Sequence, residues 1–126
     1  NATNLPQIKK LIELNLLDYI AIDFKAPKYK FKEIVGVDMY DNTIKTIQYL
    51  ISIDFTFELR TTINKSLLDE NDINSMIETI SSLGYKNTYY LQNFLETSSN
   101  IGNITKSSNI DKNKINTQNL TIQYRN

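Results

Sequence analysis

Charged side chains at the end of a predicted strand are the first candidates for chemistry. Asp23 and Lys25 stand two residues apart in the segment 18–25. In an extended strand they therefore project from the same face, about 7 Å apart. A carboxylate and an ammonium at that spacing can bind a zwitterion or orient a ribose. The alternative is an exposed charge pair, which contributes only about 0–1 kcal/mol to stability.

A second predicted strand carries Arg60, one of two arginines in a chain that also has twelve lysines. Its guanidinium is a planar fork of donors suited to a carboxylate or a phosphate. Thr62 follows on the same face and adds a hydroxyl group, while Glu58 precedes Arg60 on that face. The alternative is a structural ion pair of Arg60 with Glu58 or with Asp23 inside the fold.

The third predicted strand ends in two amides, Gln92 and Asn93. Successive side chains of a strand point to opposite faces, so one of the two must share the face of Arg60. The spacing does not say which one does, and amides at strand ends often form turns instead of binding ligands. Gln92 is the candidate that we carry forward.

The elements that must position these side chains alternate along the chain between helix and strand. Apolar periodicity predicts strands at 18–25, 55–63 and 88–94, a short closing strand around 120–124, and helices that begin at Thr3 or Asn4, at Asp38 or Asp41, and at Asp69. Residues 28–37, rich in Lys and Tyr, predict a loop or a short helix. The basic and aromatic segment Lys25–Lys32 (KAPKYKFK) could stack on nucleic acid, but its short length and the zero net charge favour a solvated loop. Residues 96–118 are rich in Ser, Asn, Thr and Lys and predict a loose tail.

Alternation of helix and strand predicts an α/β fold with a parallel sheet. The strands pair an apolar face with a polar face, which is typical of a barrel whose helices cover the outside and whose polar residues meet at the carboxyl ends of the strands. Three or four strands cannot close a barrel, so we expect the C-terminal half of a partial TIM-like (β/α) barrel. The chain would then be a piece of a longer protein in which other residues precede Asn1. Residues 1–95 would form this half, and residues 96–126 a loosely structured tail ending in a short strand.

Composition excludes several classes of function. The 126 residues contain 14 basic and 14 acidic side chains, and neither cysteine nor histidine. Disulfides, zinc–thiolate sites, a cysteine nucleophile and a histidine base are therefore excluded. Zero net charge disfavours nucleic acid as a partner. The apolar runs are far shorter than the ~18 residues of a membrane span, so we expect no membrane partner and a cytoplasmic location.

Several segments in order resemble a known family. They are NATNLP at 1–6, DYIAIDFKAP at 18–27, VGVD at 35–38, FELRTTI at 57–63, LLDENDI at 67–73 and YYLQNF at 89–94. This pattern, which covers residues 1–95, resembles the C-terminal half of radical S-adenosylmethionine activating enzymes, in particular the anaerobic ribonucleoside-triphosphate reductase activating proteins. The wider group includes the pyruvate formate-lyase activating enzymes.

The resemblance implies a radical S-adenosylmethionine barrel that holds S-adenosylmethionine and a 4Fe–4S cluster. The parent enzyme would form a 5′-deoxyadenosyl radical and with it a glycyl radical on its partner, an anaerobic ribonucleotide reductase or a related enzyme. A flavodoxin or ferredoxin would supply electrons. The cysteines that hold the cluster belong to the other half of such enzymes, so this chain alone should be inactive.

The same resemblance assigns residues to the S-adenosylmethionine pocket. Asp23 and Lys25 match the family's D-x-K strand, and Arg60 matches an arginine of the next strand. Asn1 matches the asparagine of a T-N-G turn, whose glycine is replaced here by Ala2. We add Thr62 and Gln92 to the expected pocket. No residue of this chain is expected to be catalytic or to bind metal.

Two other functions stay open on the residues alone. The chain could be a non-catalytic scaffold or partner-binding domain that completes a barrel with another chain. It could also be an aldolase-like enzyme in which Lys25, desolvated in the lumen, forms a Schiff base. A C-x-x-x-C-x-x-C loop encoded just upstream would favour the activating enzyme over the scaffold.

Overall fold

The computed structural model describes residues 4–35, 39–64, 67–93 and 110–125. Helices and strands alternate along most of that range. In chain order they are α1 (Leu5–Glu13), β1 (Ile20–Asp23), α2 (Lys28–Val35), α3 (Tyr40–Ser52), β2 (Phe57–Ile63), α4 (Glu70–Ser82), β3 (Tyr89–Asn93), a 3-10 helix (Lys112–Lys114) and β4 (Ile122–Arg125). The predicted strands are all present, each shorter than or shifted from its predicted range.

The four strands form one parallel sheet in the order β1-β2-β3-β4. Each strand thus pairs with its neighbour in the chain, and the sheet grows in one direction. The register places Asp23 beside Arg60, Thr62 beside Gln92, and Gln92 beside Arg125. The expected α/β class with a parallel sheet is confirmed, and this topology is compatible with one arc of an α/β barrel.

One face of the sheet carries the apolar core. Ile22 on β1, Leu59 on β2 and Leu91 on β3 are at most 1% exposed. They belong to one cluster with side chains from the helices, chiefly Ile47, Leu50, Ile73, Met76, Ile77 and Ile80. Full burial of such a side chain contributes about 1.5–3 kcal/mol. The alternate strand residues therefore face away from the helices, and most of them are polar.

Local sequence sets where the helices begin. Asn4 caps α1, as predicted, by accepting a hydrogen bond from the Gln7 amide at 3.2 Å. Asp69 caps α4 in a reciprocal capping box with Asp72, which confirms the predicted cap. The prediction of Asp41 as cap of α3 is wrong, because Met39 holds that position and Asp41 lies in the first turn. There its charge favours the positive end of the helix dipole. Asp38 lies outside the described residues.

Of the two alternatives predicted for residues 28–37, the short helix forms, because α2 begins at Lys28. The solvated loop expected over Lys25–Lys32 is therefore wrong from Lys28 onward. Phe31 is 3% exposed and packs edge-on against Tyr40, with ring centroids 5.5 Å apart. The Lys30 amide also donates to the Pro27 carbonyl at 3.0 Å, in the first turn of this helix. Its lysines are therefore held at defined positions on a helix.

Candidate functional site

A cleft of about 410 Å³ opens at the carboxyl ends of β1 and β2. Its polar lining includes Asp23, Lys25 and Thr62, three of the predicted site residues. The other lining residues are Phe24, Ile34, Val35, Asn64 and Leu67. A volume of this order falls within the range of about 300–1,000 Å³ for small-molecule sites. Polar groups on one wall and apolar side chains on another suit an amphipathic ligand.

Two hydrogen bonds to the backbone of Phe24 fix the carboxyl end of β1. Its amide donates to the Arg60 carbonyl at 2.8 Å, and its carbonyl accepts from the Thr61 hydroxyl at 2.6 Å. Tyr89 in turn contacts the Thr61 hydroxyl, and burial raises the pKa of Tyr89, so the phenol stays protonated. Because Phe24 is anchored toward the core, its neighbours Asp23 and Lys25 project from the opposite face.

Asp23 lies between two cations. Its Oδ1 accepts from Arg60 Nε at 2.6 Å, and its Oδ2 is 3.9 Å from Lys25 Nζ. The hydrogen bond to Asp23 raises the pKa of Arg60, which stays fully charged. All three side chains are partly exposed: Asp23 by 47%, Arg60 by 39% and Lys25 by 55%. They therefore keep donors and acceptors free for a bound molecule.

A second ion pair lies farther along the polar face of the sheet. Glu58, which is 8% exposed, accepts from Arg125 at 3.2 Å and from the Tyr19 hydroxyl at 2.6 Å. Arg125 also stacks over the Tyr90 ring, 3.5 Å from its centroid. Burial and the bond to Glu58 raise the pKa of Tyr19 to about 12. Glu58 thus binds Arg125 of β4 and leaves Arg60 to Asp23.

The register decides between the two amides at the end of β3. Gln92 pairs with Thr62 on the polar face, whereas Asn93 pairs with Ile63, whose side chain is buried in the core. Gln92 shares the polar face but does not line the cleft around Asp23. Asn1 lies outside the described residues. The structure therefore brings three of the six predicted residues to the lining of the cleft and holds a fourth, Arg60, against Asp23; their binding role stays a prediction.

Three residues beside the cleft were not predicted as part of a site. Lys30 of α2 donates to Asp72 Oδ2 at 2.5 Å and to the Leu67 carbonyl at 3.1 Å. The Tyr29 hydroxyl donates to Asp72 Oδ1 at 2.6 Å. The only local signal was the D-x-x-D spacing of the capping box, which predicts a helix start and says nothing of a lysine 42 residues away.

Two structural findings concern metals and membranes. Within residues 4–35, 39–64, 67–93 and 110–125, no three acidic, cysteine or histidine side chains converge in a way that would hold a metal ion. In the same part of the chain, no helix has the length and apolar character required to cross a bilayer. Since the sequence contains no cysteine, this chain has no thiolate to ligate an iron–sulfur cluster.

Comparison with curated proteins finds a relative of this chain. The chain is similar to a glycyl-radical enzyme activating enzyme. That protein is from Methanocaldococcus jannaschii, and its activity is assigned provisionally in its name. It is 31% identical to this chain over 99 residues. The match covers 75% of this chain and 40% of the relative, so the chain corresponds to less than half of that protein. No family model matches the chain, and no solved structure matches it.

Proposed function

We propose that this chain is the C-terminal half of a radical S-adenosylmethionine activating enzyme and supplies part of its S-adenosylmethionine pocket. The single observation that carries the proposal is the convergence of Asp23, Lys25, Arg60 and Thr62 at the carboxyl ends of β1 and β2. These ends are where α/β barrels bind their ligands. The similarity to a glycyl-radical enzyme activating enzyme supports the same assignment.

The residues of the cleft fit S-adenosylmethionine chemically. The Asp23 carboxylate can accept from the ligand's ammonium or ribose hydroxyls, and Lys25 can donate to its carboxylate. Thr62 adds a hydroxyl that can donate or accept. The apolar wall of Ile34 and Val35 offers a surface for the adenine ring. Bound in this cleft, S-adenosylmethionine would supply the radical chemistry of hydrogen abstraction, and Asp23, Lys25 and Thr62 would hold and orient it.

The 4Fe–4S cluster does not fit the residues of this chain, because none of them is a cysteine. Its ligands would lie in the half of the enzyme that this chain lacks. The role of the present residues is to bind and orient S-adenosylmethionine. The partner would be a glycyl-radical enzyme, and we propose an anaerobic ribonucleoside-triphosphate reductase, with a flavodoxin or ferredoxin as electron donor.

Two experiments test this proposal. The coding sequence immediately upstream should contain a C-x-x-x-C-x-x-C loop. In the protein as its gene encodes it, Lys25→Ala should raise the dissociation constant for S-adenosylmethionine about ten- to a hundredfold, the cost of one charge-assisted hydrogen bond. Iron content after reconstitution should stay at the wild-type level. Lys32→Ala, which removes an exposed lysine of α2, is the matched control.

The proposal fails if Lys25→Ala binds S-adenosylmethionine like wild type, or if Lys32→Ala is the more damaging change. A gene that begins near Asn1, with no cysteine loop before it, would favour the second candidate. That candidate is a non-catalytic scaffold that completes a barrel with another chain, and it is supported by the open order of the described sheet, which has β1 and β4 at its edges. A Schiff-base role for Lys25 fits poorly, because its side chain is 55% exposed and the reaction needs a desolvated amine.

A further inference from the structure

Lys30 connects the two walls of the cleft. Ile34 and Val35 at the end of α2 form one wall, and Leu67, in the segment between β2 and α4, lies in the other. Lys30 stands one helical turn before Ile34. Its Nζ donates to the Leu67 carbonyl at 3.1 Å and to Asp72 Oδ2 at 2.5 Å. One side chain of α2 thus binds both the loop wall and the start of α4.

Asp72 makes more bonds than the start of a helix needs. A capping box requires only its bond to the Asp69 amide, here 3.0 Å long. Asp72 is nearly buried, with 5% of its side chain exposed, and it also accepts from Lys30 and from the Tyr29 hydroxyl. Burial pushes the pKa of Asp72 up, but the bonds from Lys30, Tyr29 and the Asp69 amide outweigh it and hold the pKa below its usual value.

We propose that Lys30 and Asp72 are positioning residues that hold the α2 wall and the loop wall of the cleft at a fixed separation, and thereby set its affinity for S-adenosylmethionine. This proposal rests on the proposed function for the identity of the ligand. Without the Lys30 bonds, the wall at Leu67 would be held less firmly, and the ligand would have to complete its ordering on binding. Preorganised sites bind more tightly because that ordering is complete before the ligand arrives.

The competing explanation is that the Lys30–Asp72 pair stabilises only the fold as a whole. The two explanations differ in their local consequences. The amides of Leu67 and Leu68 both donate to the Asn64 carbonyl, at 2.7 and 2.8 Å. If Lys30 positions the loop, these two amides lose protection from hydrogen exchange before the sheet does. If the pair acts globally, protection falls across the whole fold together.

The test uses the protein as its gene encodes it and compares Lys30→Met, Lys30→Arg and the control Lys32→Met. We expect Lys30→Met to raise the dissociation constant for S-adenosylmethionine about three- to tenfold, the range for ordering a loop. It should also speed exchange at Leu67 and Leu68 selectively. Lys30→Arg keeps the charge and should restore both readouts to near wild type, and Lys32→Met should change neither.

The proposal is overturned if Lys30→Met leaves affinity and loop exchange unchanged, or if exchange speeds equally throughout the sheet. It is also overturned if Lys30→Arg restores neither readout. Should Lys30→Met not fold, Tyr29→Phe removes one bond to Asp72 and must give the same pattern more weakly. Should the wild-type protein not bind S-adenosylmethionine, the proposed function fails and loop exchange alone decides whether Lys30 positions the loop.

Discussion

Replacing Asp23 by Asn should change ligand binding much more than it changes stability. Asp23 accepts from Arg60 at 2.6 Å and lies 3.9 Å from Lys25 Nζ, which suggests a strong electrostatic contribution to the fold. However, the three side chains are 39–55% exposed, so water screens their interaction. Measured values for exposed pairs are about 0.2–1 kcal/mol. We therefore expect Asp23→Asn to lower the free energy of unfolding by less than about 1 kcal/mol.

The effect on binding should be larger, because a bound ligand excludes the water that screens this carboxylate. Hydrogen bonds to charged groups contribute about 1.5–3 kcal/mol, which corresponds to about a ten- to a hundredfold change in the dissociation constant. An asparagine keeps the size of the side chain and one acceptor oxygen but loses the charge. The same substitution should also release Arg60, whose raised pKa depends on its bond to Asp23.

The assay is equilibrium dialysis with labelled S-adenosylmethionine, run beside urea denaturation of the same samples. Asp18→Asn is the matched control, because Asp18 is an exposed carboxylate just before the amino end of β1, away from the cleft. A fall in stability of more than about 2 kcal/mol would mean that the Asp23–Arg60 pair is structural, since it exceeds the range for exposed pairs. Unchanged affinity in Asp23→Asn would remove this carboxylate from the pocket.

Three further changes test other parts of the fold. Gly84→Ala should lower the free energy of unfolding by about 1–2 kcal/mol, because φ at this position is +98°, in the left-handed region that side chains disfavour. Crowding is not the cause, since the nearest atom lies 3.9 Å from where the new Cβ would stand. An unchanged midpoint of urea denaturation would contradict this. Arg125→Met should cost about 1 kcal/mol by leaving Glu58 with one partner fewer, and a neutral result would mean that water replaces the guanidinium. The stability difference between wild type and Lys30→Met should be constant from about pH 5 to 9. At about pH 4 and below this difference should shrink, because Asp72 is protonated as the pH falls through its lowered pKa. Above about pH 10 it should shrink again, because Lys30 loses its proton as the pH rises through its raised pKa. A stability difference that varies between about pH 5 and 9 would contradict the Lys30–Asp72 ion pair as its cause.

For β1 and β2, the face on which each residue lies was predictable from the sequence. The two-residue period placed Asp23, Arg60 and Thr62 on a polar face, and the structure confirms this placement. The choice between Gln92 and Asn93 was not predictable, because it depends on the offset between β2 and β3. Only the pairing of Thr62 with Gln92 settles it. Periodicity is a local property of a strand, whereas register is a property of two strands.

The Lys30–Asp72 contact was out of reach for a different reason. The basic and aromatic residues around Lys30 predicted either a loop or a short helix, and in the structure the segment is a helix whose Phe31 is buried against Tyr40 of α3. In the sequence, Asp72 stands three residues after the predicted cap Asp69, a position that indicates only negative charge in the first turn of α4. The two residues are 42 positions apart, and nothing in either local pattern indicates the other. Contacts of this kind follow from tertiary packing.

The sequential order of the four strands has a consequence for how the chain folds. Paired residues of neighbouring strands lie 30 to 37 positions apart in the sequence, so each pairing closes a loop of similar length. Loop-closure entropy must be lost before a parallel pairing forms, which makes such sheets slow to assemble. The intervening helices shorten the search, since α4 has its capping box at one end and Gly84 at the other. We therefore expect each helix and its following strand to add to the growing edge as a unit.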